Sequence, residues 1–237
     1  MPLKVFGVGA VSWLSAIIAK LVMDLTITPT LFSSTGGYSA LALAISLGIY
    51  LGLRSGIFEN GLSFIWAKRM RLKGASYDEV IAFGLGFAGI EAFFLGISSF
   101  LNIFVLVSNP NLFGTLTPET QQALSQQFAL GPLLIGAPLI ERLAVLFIHV
   151  FSTVLVFKTI NEGTSTYIIM AILYKTAVDG LVPILNLLVS TPTLFGIYMI
   201  EVPFVLLGIL GWVGLIRYKE TYTSTIKSND NEHFNTK

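Results

Sequence analysis

The sequence predicts an all-α fold, a polytopic bundle of about six transmembrane helices with both termini on the cytoplasmic side. Three observations carry this reading. The 237 residues are 54% hydrophobic and 11% charged, with a mean hydropathy of +0.79, whereas a water-soluble domain carries roughly 25% charged residues to wet its surface. Several apolar runs reach the length of about 20 residues that a helix needs to cross a hydrocarbon layer about 30 Å thick. Lysine and arginine gather in alternate connections between those runs.

The first run covers residues 5 to 23. No small-residue cleavage site closes it and Asp24 and Thr26 follow, so it reads as a retained anchor rather than a removed signal peptide. Thr28-Pro29-Thr30 and Ser33-Ser34-Thr35-Gly36-Gly37 are poor helix material and read as loop. The second run, 38 to 66, is interrupted by Arg54, Ser55 and Gly56, and reads as one long helix. The third, 80 to 107, ends at the turn-forming Asn109-Pro110-Asn111. Thr117-Pro118-Glu119 then opens an amphipathic helix through Gln121 to Phe128, either lying flat on the outer surface or serving as a plain connector. Runs at 132 to 157, 166 to 189 and 195 to 216 complete the set. Residues 1–220 therefore form a single transmembrane domain, and 221–237 a polar cytoplasmic tail, disordered from Ser224 onward.

The basic residues orient the bundle. With the N-terminus inside, the cytoplasmic segments hold Lys4; Lys68, Arg69, Arg71 and Lys73; Lys158; and Arg217, Lys219, Lys227 and Lys237. The opposite connections, near 24–37, 108–131 and 190–194, hold none. The 68–73 cluster reads first as a topology signal, with contact to anionic lipid headgroups as its functional alternative. Membrane lipids are the expected surroundings, the cell (plasma) membrane the expected location, and nothing points to nucleic acid.

Cysteine is absent, which excludes disulfides, thiolate catalysis and cysteine metal sites. Chemistry must then come from the ionisable groups inside the apolar runs: Lys20, Arg54, Glu59, Glu91, Glu141, Arg142, His149, Lys175, Asp179 and Glu201. Each costs at least about 2–3 kcal/mol near a helix centre unless paired or wetted, so these side chains face the bundle interior or a water-filled cavity. Arg142 and His149 are two helical turns apart and share a face, with Glu141 beside Arg142. Lys175 and Asp179 stand i to i+4, in reach of a local ion pair, with Pro183 one turn beyond. Glu91 is flanked by Gly84, Gly86, Gly89 and Gly96, which allow close helix approach. Counting from each helix entrance places Glu91, His149, Lys175 and Asp179 between the midplane and the cytoplasmic half, with Glu59 in the same layer. Lys20 and Glu201 fall nearer the outer surface, where Lys20 can snorkel. His149 has no second histidine nearby in sequence, so neither a metal nor another cofactor is expected, although carboxylate ligands stay open.

Gly56-Ile57-Phe58-Glu59, Phe83-Gly84-Leu85-Gly86, Gly89-Ile90-Glu91-Ala92, Glu141-Arg142 with His149 seven on, and Ala171 leading to Asp179 follow one another in an order that resembles the YhfC family, over about 40 to 215. That family comprises intramembrane endopeptidases, distant relatives of the CAAX prenyl endopeptidases and so of the glutamic-type membrane proteases. The resemblance implies a water activated by a glutamate, with histidines and polar neighbours orienting it. On that reading Glu59, Glu91 and His149 are the catalytic candidates, supported by Glu141, Arg142, Lys175 and Asp179. The sequence departs from the pattern at four places. Asn60 replaces the second of paired glutamates, Ser63 an arginine, Phe87 a histidine between the glycines, and Lys175 a histidine four residues before the aspartate.

Two functions remain from the sequence. One is an intramembrane peptidase or, given the replacements, its inactive relative, binding a hydrophobic peptide or membrane-protein partner without cutting it. The other is a small proton-coupled transporter, because an interior line of Glu, Asp, Lys and His also serves a proton relay. Neither an internal repeat nor a pair of broken helices supports transport.

Overall fold

The computed structural model describes residues 2–33, 35–189 and 193–235, with the backbone alone at 132, 134 and 223–235. Nine α-helices and one 3-10 turn account for the described elements, with no strand among the described residues. Six helices are long and apolar enough to cross a membrane: α1 (Pro2–Thr26), α3 (Ala40–Arg69), α4 (Tyr77–Ser108), α7 (Gly136–Glu162), α8 (Thr166–Leu188) and the Leu194–Tyr222 part of α9 (Leu194–Asn235). The chain is a multi-pass membrane protein. The polar tail expected from Ser224 lies beyond the residues whose side chains are described.

The expected second run is one unbroken helix, α3, started by the Ser39 hydroxyl accepting from Ala42 N. A capping box starts α4: Glu79 N donates to Ser76 Oγ, and the Glu79 carboxylate accepts from Ser76 N. Gly163, with φ +73°, ends α7 in the left-handed conformation that a side chain resists. Two segments expected as loop contain short helices instead, α2 (Thr28–Ser33) and α5 (Pro110–Thr115). Their prolines stand in the first turn, where the missing N–H has no intrahelical partner to lose and φ is already helical. The amphipathic helix expected after Thr117 is α6 (Pro118–Ala129), with no buried residue.

Helix α7 lies at the centre and packs against α3, α4, α8 and α9. Towards the basic-loop end the core is apolar and tight, with Phe83, Phe157, Val80 and Val156 wholly buried and the two phenylalanine rings edge to face at 5.4 Å. Glycines set the closest approaches. A Cβ on Gly84 would meet Val150 Cα at 2.8 Å, and one on Gly86 would strike the Phe6 carbonyl of α1. Gly89 meets only the edge of the Phe6 ring and Gly96 faces open space, so two of the four glycines around Glu91 act as expected. A second seam joins α3 to α8, where Gly48 and Gly52 face Gly180 and Gly56 faces Ile172 and Thr176.

Candidate functional site

The polar residues of five helices converge just beyond these seams. On α3, Glu59, Asn60 and Ser63 continue the face that Gly52 and Gly56 begin, so the seam carries them against α8 and α7. On α1, Ser12, Trp13, Ala16 and Lys20 form one buried stripe. Helix α4 contributes Phe87 and Glu91, α7 contributes His149, Ser152, Arg142 and Glu141, and α8 contributes Lys175.

Glu59 is the hub. It is 4% exposed, and each of its oxygens faces an ammonium group: Lys20 Nζ donates to Oε1 at 2.7 Å, and Lys175 Nζ lies 2.9 Å from Oε2. His149 sits between the two buried glutamates. Its Nδ1 is 3.9 Å from Glu59 Oε2 and its Nε2 2.8 Å from Glu91 Oε2, while Lys175 Nζ is 3.4 Å from the same Nε2. Glu91 Oε2 also accepts from Trp13 Nε1 at 2.8 Å, and its Oε1 faces Arg142 Nη1 at 3.5 Å. Arg142 bonds Glu141 as well. Three carboxylates thus face three basic side chains across a histidine, which is how charges persist at this depth.

Glu59, Glu91 and His149 are brought together as the sequence suggested, and Glu141, Arg142 and Lys175 adjoin them. Asp179 lies near Lys175 without bonding it. Among the described residues its expected ion pair with Lys175 does not form, because Lys175 reaches across to Glu59. Lys20 corrects the sequence reading more sharply: instead of snorkelling it is buried at 9% exposure and paired with Glu59. Pairing inside the bundle outweighs reaching the interface when a buried carboxylate is in range. Its signal was the i, i+4, i+8 spacing of Ser12, Ala16 and Lys20. Trp13 was missed altogether, being read as one more apolar residue. Glu201 is half-buried on α9 and its Oε2 has no hydrogen-bond partner.

The replacements are structurally committed. Asn60 Nδ2 donates to Gly56 O at 2.9 Å and to Ala171 O of α8 at 3.2 Å, and its Oδ1 accepts from Ser152 Oγ at 2.5 Å. A carboxylate could make neither donation. Ser63 Oγ bonds Ser12 Oγ at 3.1 Å, and the Phe87 ring packs 4.9 Å from the His149 ring. The cavity that Glu59, Asn60, Phe87, His149 and Lys175 line has a volume of about 10 Å³, about the smallest that holds one water.

The sequence model of the YhfC intramembrane metalloprotease family matches residues 1–203. The chain belongs to that family. The match begins at the first residue, so α1, with Trp13 and Lys20, lies within the YhfC region alongside the later motifs. No curated protein and no solved structure is similar enough to match it.

The family's description implies a metal, which the sequence reading did not expect. Glu59, Glu91 and His149 each offer one ligand atom, all within 4.8 Å of one another. A divalent ion, however, needs lone pairs with no cation among them. Lys175 Nζ stands amid these donors and Lys20 takes the other Glu59 oxygen. A double positive charge about 3 Å from an ammonium is repelled by roughly 10 kcal/mol at an effective dielectric constant near 20. Phe87, packed on the His149 ring, and Lys175, paired with Glu59, offer no lone pair to a metal. The residues present do not fit a metal.

Proposed function

We propose that this YhfC-family protein is a non-hydrolytic member that holds a hydrophobic peptide or the apolar helix of a membrane partner without cutting it. One observation carries the reading: the Glu59 carboxylate is clamped between Lys20 and Lys175 from its own chain. A hydrolytic glutamate must face a water that in turn faces a scissile carbonyl. Here its oxygens face ammonium groups, and the adjoining cavity has room for one water but not for a scissile peptide bond beside the carboxylate.

The test is incubation of purified protein with a labelled hydrophobic reporter peptide. Wild type is expected to retain the peptide intact. Cleavage that disappears in Glu59→Gln and Glu91→Gln would overturn the proposal. Elemental analysis gives a second arm. Wild type is expected to carry no zinc, whereas the double variant Phe87→His with Lys175→His removes the competing ammonium, adds two imidazoles and is expected to bind about one zinc per chain.

A second reading rests on a different feature, the unbroken series of contacts from Lys20 through Glu59, His149 and Glu91 to Arg142 and Glu141. Such a series would serve a proton-coupled carrier. Substrate-dependent pH change in sealed vesicles, abolished by His149→Phe, would favour it over the first.

We further propose that the basic-loop end, and with it both termini, faces the cytoplasm across the plasma membrane, because lysine and arginine gather in the connections at that end. The absence of cysteine makes this direct to test. A single cysteine at Asp78 is expected to be shielded from an impermeant thiol reagent in intact cells and one at Gln122 to be labelled; the opposite pattern would invert the topology.

A further inference from the structure

At the basic-loop end, the last turns of α3 and α7 and the start of α8 enclose a cavity of about 660 Å³. Phe64 and Ile168 form apolar wall, Thr164 and Ser165 add hydroxyls, and Lys68, Arg71 and Lys73 bring three positive charges. No acidic residue lines it. The nearby acids are engaged elsewhere: Glu162 pairs with Lys158 at 3.5 Å, and Glu79 is held in the α4 capping box. Among the described residues none of the three cations has an ion pair, and Lys68 instead lies 4.7 Å above the Phe64 ring. The cavity therefore lacks the negative charge that its walls complement.

Arg71 sharpens the point. Its φ of +56° is left-handed, and it is the sole non-glycine in that region among the described residues. It follows the C-cap of α3, where Leu72 N bonds Ala67 O at 2.9 Å in a Schellman closure. Glycine is the residue that this backbone favours, and the neighbouring left-handed positions Gly74 and Gly163 have it. An arginine here strains the backbone, so its side chain is what the position retains.

We propose that this cavity binds the phosphate headgroup of an anionic phospholipid. Arg71, Lys68 and Lys73 face the phosphate, the Thr164 and Ser165 hydroxyls bond the polar headgroup, and Phe64 and Ile168 lie against the glycerol and upper acyl carbons. The volume exceeds what a single ion needs, and the apolar wall suits a lipid better than free phosphate. The cavity lies at the ends of membrane-spanning helices, the level at which lipid headgroups stand. The inference is independent of whether the polar centre cuts peptides.

The test is native mass spectrometry of the full chain released from nanodiscs of phosphatidylcholine mixed with phosphatidylglycerol. Wild type is expected to retain phosphatidylglycerol preferentially, about one per chain. Arg71→Gly relieves the backbone strain, so it is expected to keep or raise the melting temperature while lowering that retention about tenfold. Arg69→Ala removes the same charge from the same turn but outside the cavity, and is expected to retain the lipid as wild type does. Equal retention by Arg71→Gly and wild type, or equal loss in Arg69→Ala, would overturn the proposal. Inorganic phosphate is expected to leave the melting temperature unchanged; stabilisation by phosphate matching that by phosphatidylglycerol would also refute a lipid site.

Discussion

Helices α7 and α4 have equal mean hydropathy in their most apolar windows, yet they sit oppositely. Along α7, buried residues recur from Ala144 to Ile160, including every position from Ile148 to Val150 and from Ser152 to Phe157. Along α4, none is buried beyond Ala88, and Phe93, Phe94, Phe100, Phe104 and Val107 are all exposed. In water such a face would have to be covered; in lipid it need not be, because acyl chains are as apolar as the side chains. Apolar character therefore does not decide which helix is central. Small residues and charges do: α7 is held by close contact at Gly84 and Gly208 and by His149 and Arg142, whereas α4 has no residue in the ion cluster past Glu91.

This contrast can be broken from the polar side first. Glu59→Gln leaves Lys20 and Lys175 without their shared counter-charge, and is expected to lose about 3–5 kcal/mol, read by denaturant unfolding in detergent micelles. Adding Lys175→Gln should restore part of that loss, and strict additivity of the two changes would show that they do not interact. Trp13→Phe removes the indole donor from the Glu91 carboxylate and should cost about 1.5–3 kcal/mol by the same measurement. Gly52→Ala drives a Cβ to 3.1 Å from Gly180 Cα and closer still to the Thr176 carbonyl, an overpacking worth about 1–3 kcal/mol. At the other extreme, Phe100→Leu on the exposed part of α4 should change stability by no more than about 0.5 kcal/mol. A large loss there would mean that this face meets protein rather than lipid.

The six spans were legible because a bilayer imposes length and composition on every helix that crosses it. The meeting of Glu59, Glu91 and His149 was legible because the family resemblance singled them out together and counting from the helix entrances put them in one layer, where charges must find partners. Which partner it finds is a cross-helix fact. Lys175 and Asp179 are adjacent on one helix surface, but the long lysine side chain reaches Glu59 on α3 instead. Lys20 was misplaced for the same reason, since distance from the helix end does not reveal a carboxylate on a neighbour. The Gly48, Gly52, Gly56 spacing was visible in the sequence, but its counterpart Gly180, a lone glycine on α8, became meaningful only opposite it.

The glycine seam between α3 and α8 is smooth where two backbones touch, and a smooth joint can slide. Interlocking side chains that would stop axial slip are missing at Gly48, Gly52, Gly56 and Gly180. The next turn supplies the stop: Asn60 is hooked to the Ala171 carbonyl and Glu59 to Lys175. A slip of one helical turn, about 5.4 Å, would tear out both. The ion cluster is thus a locating pin that fixes how far one helix stands along the other.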